Sequence, residues 1–352
     1  MPWSTLLFAA APAAFPCAAL VHEVGALAES DAQEVILWQD GDESVTEYRV
    51  AYDGDAAAFG WVIVVPAGFV SLTDGDPARF DALRDASQPE VWTFGSGGGG
   101  DAEPGCGCVG DAKMGGFDRA NALDTASGWD LLAEGFTGTY SYTAFSADDA
   151  QGLGDALDTL GWPAGDAQGS LEAYAAEGGV DFVLVEVRPD VAETDGVRSL
   201  PPVVLRSTAD RLFFPSRMAA GASAEEMRTV VWVLGDERAR VSGWGMVDAG
   251  VVEASGGETA EEAWDAALRD ASATEPSFVR AWAGAWDGRR ATRLETLTPV
   301  GMHTSDAEFH TDDGDTEQAS TVEVWATAVE TGAAVLLLPL LGAGVWVRRR
   351  EG

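Results

Sequence analysis

The chain has 352 residues, 46% of them hydrophobic and 13 of them Trp, enough for one large domain or two ordinary ones with real cores. Its 58 acidic against 21 basic residues give a net charge of −37 and a pI of about 4.1. Such a surface excludes nucleic-acid phosphates and anionic lipid headgroups as electrostatic partners, attracts cations and stays soluble in salt. Arg outnumbers Lys, which occurs only as Lys113, as GC-rich coding would give. That bias does not explain the acidic excess, which leaves a saline habitat open.

At the N-terminus, Leu6 to Ala14 is almost wholly apolar, too short to cross a bilayer but of the length of a signal-peptide core. Ala9, Ala11 and Ala13 offer small-residue cleavage positions, so residues 1–16 are expected to be an export signal, although no Lys or Arg precedes the apolar run. Ala14-Phe15-Pro16 before Cys17 does not suit a lipoprotein signal.

Glu34 to Gln39 and Val45 to Tyr52 are predicted strands joined by a hairpin turn at Asp40-Gly41-Asp42. Tyr48, Val50 and Tyr52 alternate with Glu47, Arg49 and Ala51, the pattern of a half-buried strand. Phe59 to Val65 is a continuous apolar run and predicts an interior strand; Ala78 to Ala86 predicts a short helix. Residues 95–116 are Gly-rich, contain Cys106-Gly107-Cys108 and predict a flexible insertion.

A strand over Tyr140 to Phe145 leads to a helix started by Ser146 and Asp149, with Leu153, Leu157 and Leu160 on one face before Gly161. A second short helix covers Leu171 to Ala176. Strands follow at Asp181–Val187, Val203–Ser207, Thr229–Leu234 and Arg240–Met246. Thr259 and Glu262 form a capping box for a helix through Ala271, with Trp264 and Leu268 facing the core, and Ala291 to Leu297 is a further strand. Strands outnumber helices and few helices sit between strands. The class expected for residues 17–300 is therefore α+β, mostly antiparallel.

Residues 301–326 are polar and acidic, the composition of a solvated stalk. From Thr327 to Val347 runs a stretch of about 31 Å as a helix, which matches a hydrocarbon core. Arg348-Arg349-Arg350 follows within the tail 348–352. By the positive-inside rule that tail is cytoplasmic and everything before the span is outside. The expected location is the cell membrane, with a single pass and an extracytoplasmic N-terminal domain.

The order of several short motifs resembles that of a bacterial family known as domain of unknown function 2330. They are a Cys just after the export signal (Cys17), Tyr52-x-Gly54, Phe59-Gly60-Trp61-Val62-Ile63-Val64-Val65-Pro66, and Leu157-x-x-x-Gly161-Trp162. Asp181-Phe182-Val183-Leu184-Val185, Leu200-Pro201-Pro202-Val203 and Phe214-Pro215-Ser216-Arg217-Met218 complete the series. Val64 stands where the family carries its first Pro. The resemblance covers roughly residues 17 to 250. It implies export and a single folded unit, and it supplies no activity and no catalytic residues.

No motif points to catalysis. Gly95-Ser96-Gly97-Gly98-Gly99-Gly100 has dinucleotide-binding spacing, but Pro104 and Cys106 follow where the helix that would hold a pyrophosphate should start. Lys113 is not preceded by Gly, which excludes a phosphate-binding loop, and no Gly-x-Ser-x-Gly elbow occurs. His22-Glu23 lacks the second His of a zinc-protease helix, because Ala26 stands there.

Outside the cytoplasm the three cysteines are expected to be oxidised, with Cys17 bridged to Cys106 or Cys108. His303, Asp306, Glu308 and His310 combine imidazole with carboxylate and could take a divalent cation, although their spacing matches no known loop. The other reading of those residues is the stalk. The expected function is that of an uncharacterised, membrane-anchored cell-envelope protein with a non-enzymatic binding or structural ectodomain, with no cofactor and an unidentified envelope partner. The alternatives are an extracytoplasmic hydrolase built on distant carboxylates and a divalent-cation-binding protein.

Overall fold

The computed structural model describes residues 19–22, 28–54, 59–93, 128–162, 168–188, 198–199, 201–221, 223–254, 257–299 and 305–311. The first half runs β1 (Ala19–His22), β2 (Ala28–Asp40), β3 (Glu43–Gly54), β4 (Phe59–Pro66), β5 (Phe69–Asp74), α1 (Pro77–Ala86), β6 (Val91–Thr93), β7 (Trp129–Phe136) and β8 (Tyr140–Ala147). It continues through α2 (Ala150–Leu160), α3 (Gln168–Glu177), β9 (Val180–Val187), β10 (Arg198–Ser199), β11 (Val203–Ser207), β12 (Leu212–Phe214) and a 3-10 turn at Ser216–Gly221. The rest is β13 (Ser223–Gly235), β14 (Ala239–Ser242), β15 (Gly245–Asp248), β16 (Val252–Ala254), α4 (Ala260–Ala271), β17 (Ser277–Trp286), β18 (Arg289–Pro299) and β19 (Ala307–Thr311). With four α-helices and mostly antiparallel strands among the described residues, the class is α+β.

Two sheets carry the architecture. The smaller has the order β1-β4-β9-β8-β7, and the larger β15-β17-β18-β13-β2-β3-β11-β5, with β10 added beside β3. They share one apolar core, in which Val35, Leu37, Val231 and Leu294 of the large sheet meet Trp61, Ile63, Phe182 and Val185 of the small one. β4 is buried on both faces, as its continuous apolar run requires. α2 covers β7 and β8, burying Leu153 and Leu157, and α3 packs on α2. On its far face the large sheet carries α1, whose Phe80 and Leu83 lie on Ile36 and Trp232, and α4, whose Trp264 and Leu268 lie on Val279 and Leu297.

Several local expectations hold. Asp40 pairs with Glu43 across a two-residue turn in which Gly41 takes φ +64°. Thr259 and Glu262 form the capping box of α4, and Gly161 ends α2 at φ +82°. Others are corrected. The N-cap of α2 is Asp149, whose side chain accepts from the Gly152 N–H; Ser146 remains in β8.

The expected strand 240–246 is two strands in different sheets, β14 and β15. They are separated at Gly243, whose φ of +83° and 2.2 Å clearance from a Cβ position to the Asp306 carbonyl oxygen admit only glycine. β3 is not half-buried, since α1 covers the face that bears Glu47 and Arg49.

The stalk expected from 301 onward is corrected where it is described. Residues 307–311 form β19, the centre of a three-stranded sheet β12-β19-β14, because Ala307 and Phe309 alternate inward and join the main core. The signal 1–16, the insertion 95–116, the rest of the stalk, the span 327–347 and the tail 348–352 lie outside the described residues. Among the described residues no helix is long and apolar enough to cross a membrane.

Candidate functional site

Strand register builds an ordered array of charges on the helix-covered face of the large sheet. One row across five strands reads Arg49, Glu34, Val230, Glu295 and Val279. The next row, two residues along, reads Glu47, Ile36, Trp232 and Arg293. Side chains two apart on a strand share a face, so Arg228, Val230 and Trp232 point the same way. α1 covers the apolar part of the second row, α4 covers Val279, and between the two helices lies a cleft of about 960 Å³ floored by Val230.

Each carboxylate of the first row, Glu34 lining the cleft and Glu295 buried beneath it, is held by two guanidiniums. Glu34 accepts from Arg84 at Oε1 (3.1 Å from Nε and 2.5 Å from Nη2) and from Arg49 Nε at Oε2 (2.6 Å). Arg49 Nη2 also lies 2.6 Å from that oxygen but is not aligned to donate, so it is an ion pair only. Glu295, wholly buried, accepts from Arg228 Nε at 2.8 Å and from Arg293 Nε and Nη2 at 2.9 and 2.6 Å.

The same guanidiniums reach the walls. Arg49 Nη1 donates to Asp81 of α1 at 2.8 Å, and Arg228 Nη1 donates to Asp265 of α4 at 2.9 Å. Burial works against the Arg228 charge, but Glu295 together with Asp265 and Glu261 outweighs it and holds the guanidinium above its ordinary value. The result is a polar seat whose two helical walls are pinned to its floor. Trp264 lines it, is 3% exposed, and its buried indole N–H has no acceptor among the described residues.

A smaller cavity of about 250 Å³ lies where α3, β12, β14 and β19 meet. Arg217 donates through Nη1 and Nη2 to Glu177 at 2.6 and 2.7 Å and through Nε to Asp306 at 2.9 Å, and its guanidinium lies 4.3 Å from the Tyr174 ring centre. The Glu177 pair raises the Arg217 pKa and lowers that of Glu177. Tyr174 also donates to Asp306. Arg211 donates to Glu308 at 2.9 Å, and His310 Nε2 lies 2.9 Å from Ser242 Oγ.

Asp306, Glu308 and His310 therefore share one side of β19 and its approach, and each has a different partner. Among the described residues no group of three or more His, Cys, Asp or Glu is placed to hold a metal ion. His303, Cys17, Cys106 and Cys108 lie outside the described residues.

Sequence reasoning did not single out Glu34, Arg49, Arg84, Arg228, Arg293 or Glu295. Their one signal was a charge at a period-two position inside an apolar strand, as in Arg228-x-Val230-x-Trp232.

Fold and cleft together define an α+β domain with two packed sheets and a polar seat between surface helices. The chain belongs to the family described as uncharacterized protein conserved in bacteria (DUF2330), whose model matches residues 11–315. No curated protein and no solved structure matches it.

Proposed function

We propose that the chain is an exported, membrane-anchored cell-envelope protein whose α+β domain binds a small ligand in the α1/α4 cleft and leaves it chemically unchanged. The observation that carries this is the engagement of Glu34, which lines the cleft, and of Glu295, buried beneath it, by paired guanidiniums. A general acid or base must present a free oxygen to the substrate. These two present theirs to arginine, so a catalytic carboxylate in this cleft would have to be one of the wall residues Asp81 or Glu261. A cleft of about 960 Å³ with walls tied to its floor is instead suited to preformed binding. Export and anchoring are supported by the N-terminal apolar run and by the 327–347 stretch before Arg348-Arg349-Arg350.

Binding is tested by a small-molecule thermal-shift screen of the full chain beside Ala260→Trp, which places an indole in the mouth of the cleft. Ligands that raise the melting temperature of the wild type and not of the variant support the reading; equal shifts in both refute it. Anchoring is tested by removing Gly332 to Gly352, which should move the protein from the membrane fraction to the soluble exported fraction.

One contact favours a second reading, a hydrolase. Ser242 and His310 are within nucleophile–base distance at the edge of the smaller cavity. Labelling of Ser242 by a fluorophosphonate, lost in His310→Ala, would establish it.

A further inference from the structure

Charge is distributed over the cleft in a way that selects among ligands. The α1 wall presents Arg84, whose side chain is 45% exposed, beside Asp81, 60% exposed. Towards the α4 wall lies Arg228, 28% exposed, and the first turn of α4 adds the exposed Glu261. Both sides thus offer one cation and one anion, in a chain whose surface is otherwise overwhelmingly acidic. A guanidinium has five N–H donors. The hydrogen bonds of Arg84 go from Nε and Nη2 to Glu34, and its Nη1 is 3.6 Å from Asp81, too far for a hydrogen bond. Asp81 accepts from Arg49 at Oδ1 alone. Glu261 forms no ion pair or hydrogen bond among the described residues.

An anion that reaches Arg84 or Arg228 also lies near Asp81 or Glu261, and a cation that reaches those carboxylates lies near the guanidiniums, so a ligand with a net charge of either sign is opposed at both walls. A ligand with one charge of each sign at its two ends meets a partner at both walls. The middle of such a ligand would lie over Val230 and between Pro77 and Pro89, which are apolar.

Resting on the reading of the cleft as a binding site, we infer that its ligand is a zwitterion of the short-peptide class. The terminal carboxylate is taken by a guanidinium of one wall and the terminal ammonium by a carboxylate of the other, with the apolar middle of the ligand over Val230.

The test is calorimetric titration of the full chain in detergent with four probes: the tripeptide Ala-Leu-Ala with free ends, its acetylated and amidated form, succinate, and putrescine. The free tripeptide should bind, and the blocked form should bind at least tenfold more weakly. Glu261→Gln, at an exposed position in the first turn of α4 that makes no hydrogen bond and acts on Arg228 only through space, should weaken the free tripeptide about tenfold while circular dichroism and the melting temperature stay unchanged. Arg84→Gln should weaken the free tripeptide as much, with some loss of melting temperature because Glu34 keeps only one of its two guanidiniums. Equal binding of free and blocked tripeptide, or no effect of Glu261→Gln and Arg84→Gln, overturns the inference. Binding of succinate or putrescine alone, sensitive to those substitutions, overturns the zwitterion and leaves the cleft as a site. Silence of all four probes also overturns it, and the Ala260→Trp screen then decides the binding function separately.

Discussion

Arg293 donates through Nε and Nη2 to a single oxygen, Oε2, of Glu295, two positions further along β18. The Glu295 side chain is 0% exposed and that of Arg293 6%. Desolvating two such charges costs several kcal/mol, which their attraction offsets only while both partners remain. Glu295→Ala should therefore destabilise the protein by about 3–5 kcal/mol, because Arg293 is left buried without a carboxylate. The double variant Arg293→Met with Glu295→Met should recover more than half of that loss, since Arg228 keeps Asp265. Urea denaturation decides the matter, and a loss under about 1 kcal/mol for Glu295→Ala would show that water reaches the pair.

On the opposite face of the same strands, Gln33 of β2 stands beside Thr229 of β13. Both are 1% exposed, and among the described residues neither the Gln33 amide nor the Thr229 hydroxyl has a hydrogen-bond partner. An unmet buried polar group costs about 1–3 kcal/mol, and an apolar replacement of the same shape removes that cost. Thr229→Val should leave stability unchanged or raise it by up to about 1 kcal/mol. A fall of that size in the denaturation midpoint free energy would reveal a partner, such as a trapped water.

The fold was legible where local chemistry acts alone. The Asp40–Glu43 turn, the capping box at Thr259 and the αL glycine at 161 each need only neighbouring residues, and each formed as expected. Expectation failed where distant chain decides. Glu47 and Arg49 looked solvent-facing because their strand alternates, but α1 folds back over them and brings Arg79 and Asp81 as partners. Arg240 to Met246 reads as one strand; only the close approach of the Asp306 backbone explains why it breaks at Gly243. The cleft was illegible for the same reason. Glu34 and Glu295 are 261 positions apart in the chain and share a row only through the pairing of β2, β13 and β18.

Glu47 provides a test by pH. Burial raises its pKa above the ordinary 4.5, although the Asp76 N–H and Arg79 pull the other way. A raised carboxylate pKa means that the folded state holds its proton where the unfolded state has lost it. The Glu47 contribution is thus fully present below 4.5 and is lost as pH rises through the folded value. Glu47→Gln cannot ionise, so it should gain stability relative to the wild type as pH rises from 4 to 7. Chemical denaturation of both proteins across that range measures the difference. A difference that stays constant, or moves toward the wild type, shows that Arg79 and the Asp76 amide dominate instead.

Phe309 decides whether the acidic C-terminal segment is stalk or fold. It is 2% exposed, sits 5.7 Å from the Phe278 ring in an edge-on contact, and pairs with Leu212 on one side and Val241 on the other. The composition around it, with Glu308 and Asp312, is that of a solvated tether. In a tether a phenylalanine contributes nothing to folding, and its truncation would pass unnoticed. In a packed core, Phe→Ala removes apolar contact and leaves a cavity, at a cost of about 3–5 kcal/mol. Phe309→Ala should therefore lower the melting temperature by about 5–10 degrees or prevent folding. His310→Ala, one residue on and exposed, should change stability by less than about 0.5 kcal/mol. Equal, negligible effects from the two substitutions would return residues 307–311 to the stalk, and the Asp306 contacts with Arg217 and Tyr174 would then have no fixed strand behind them.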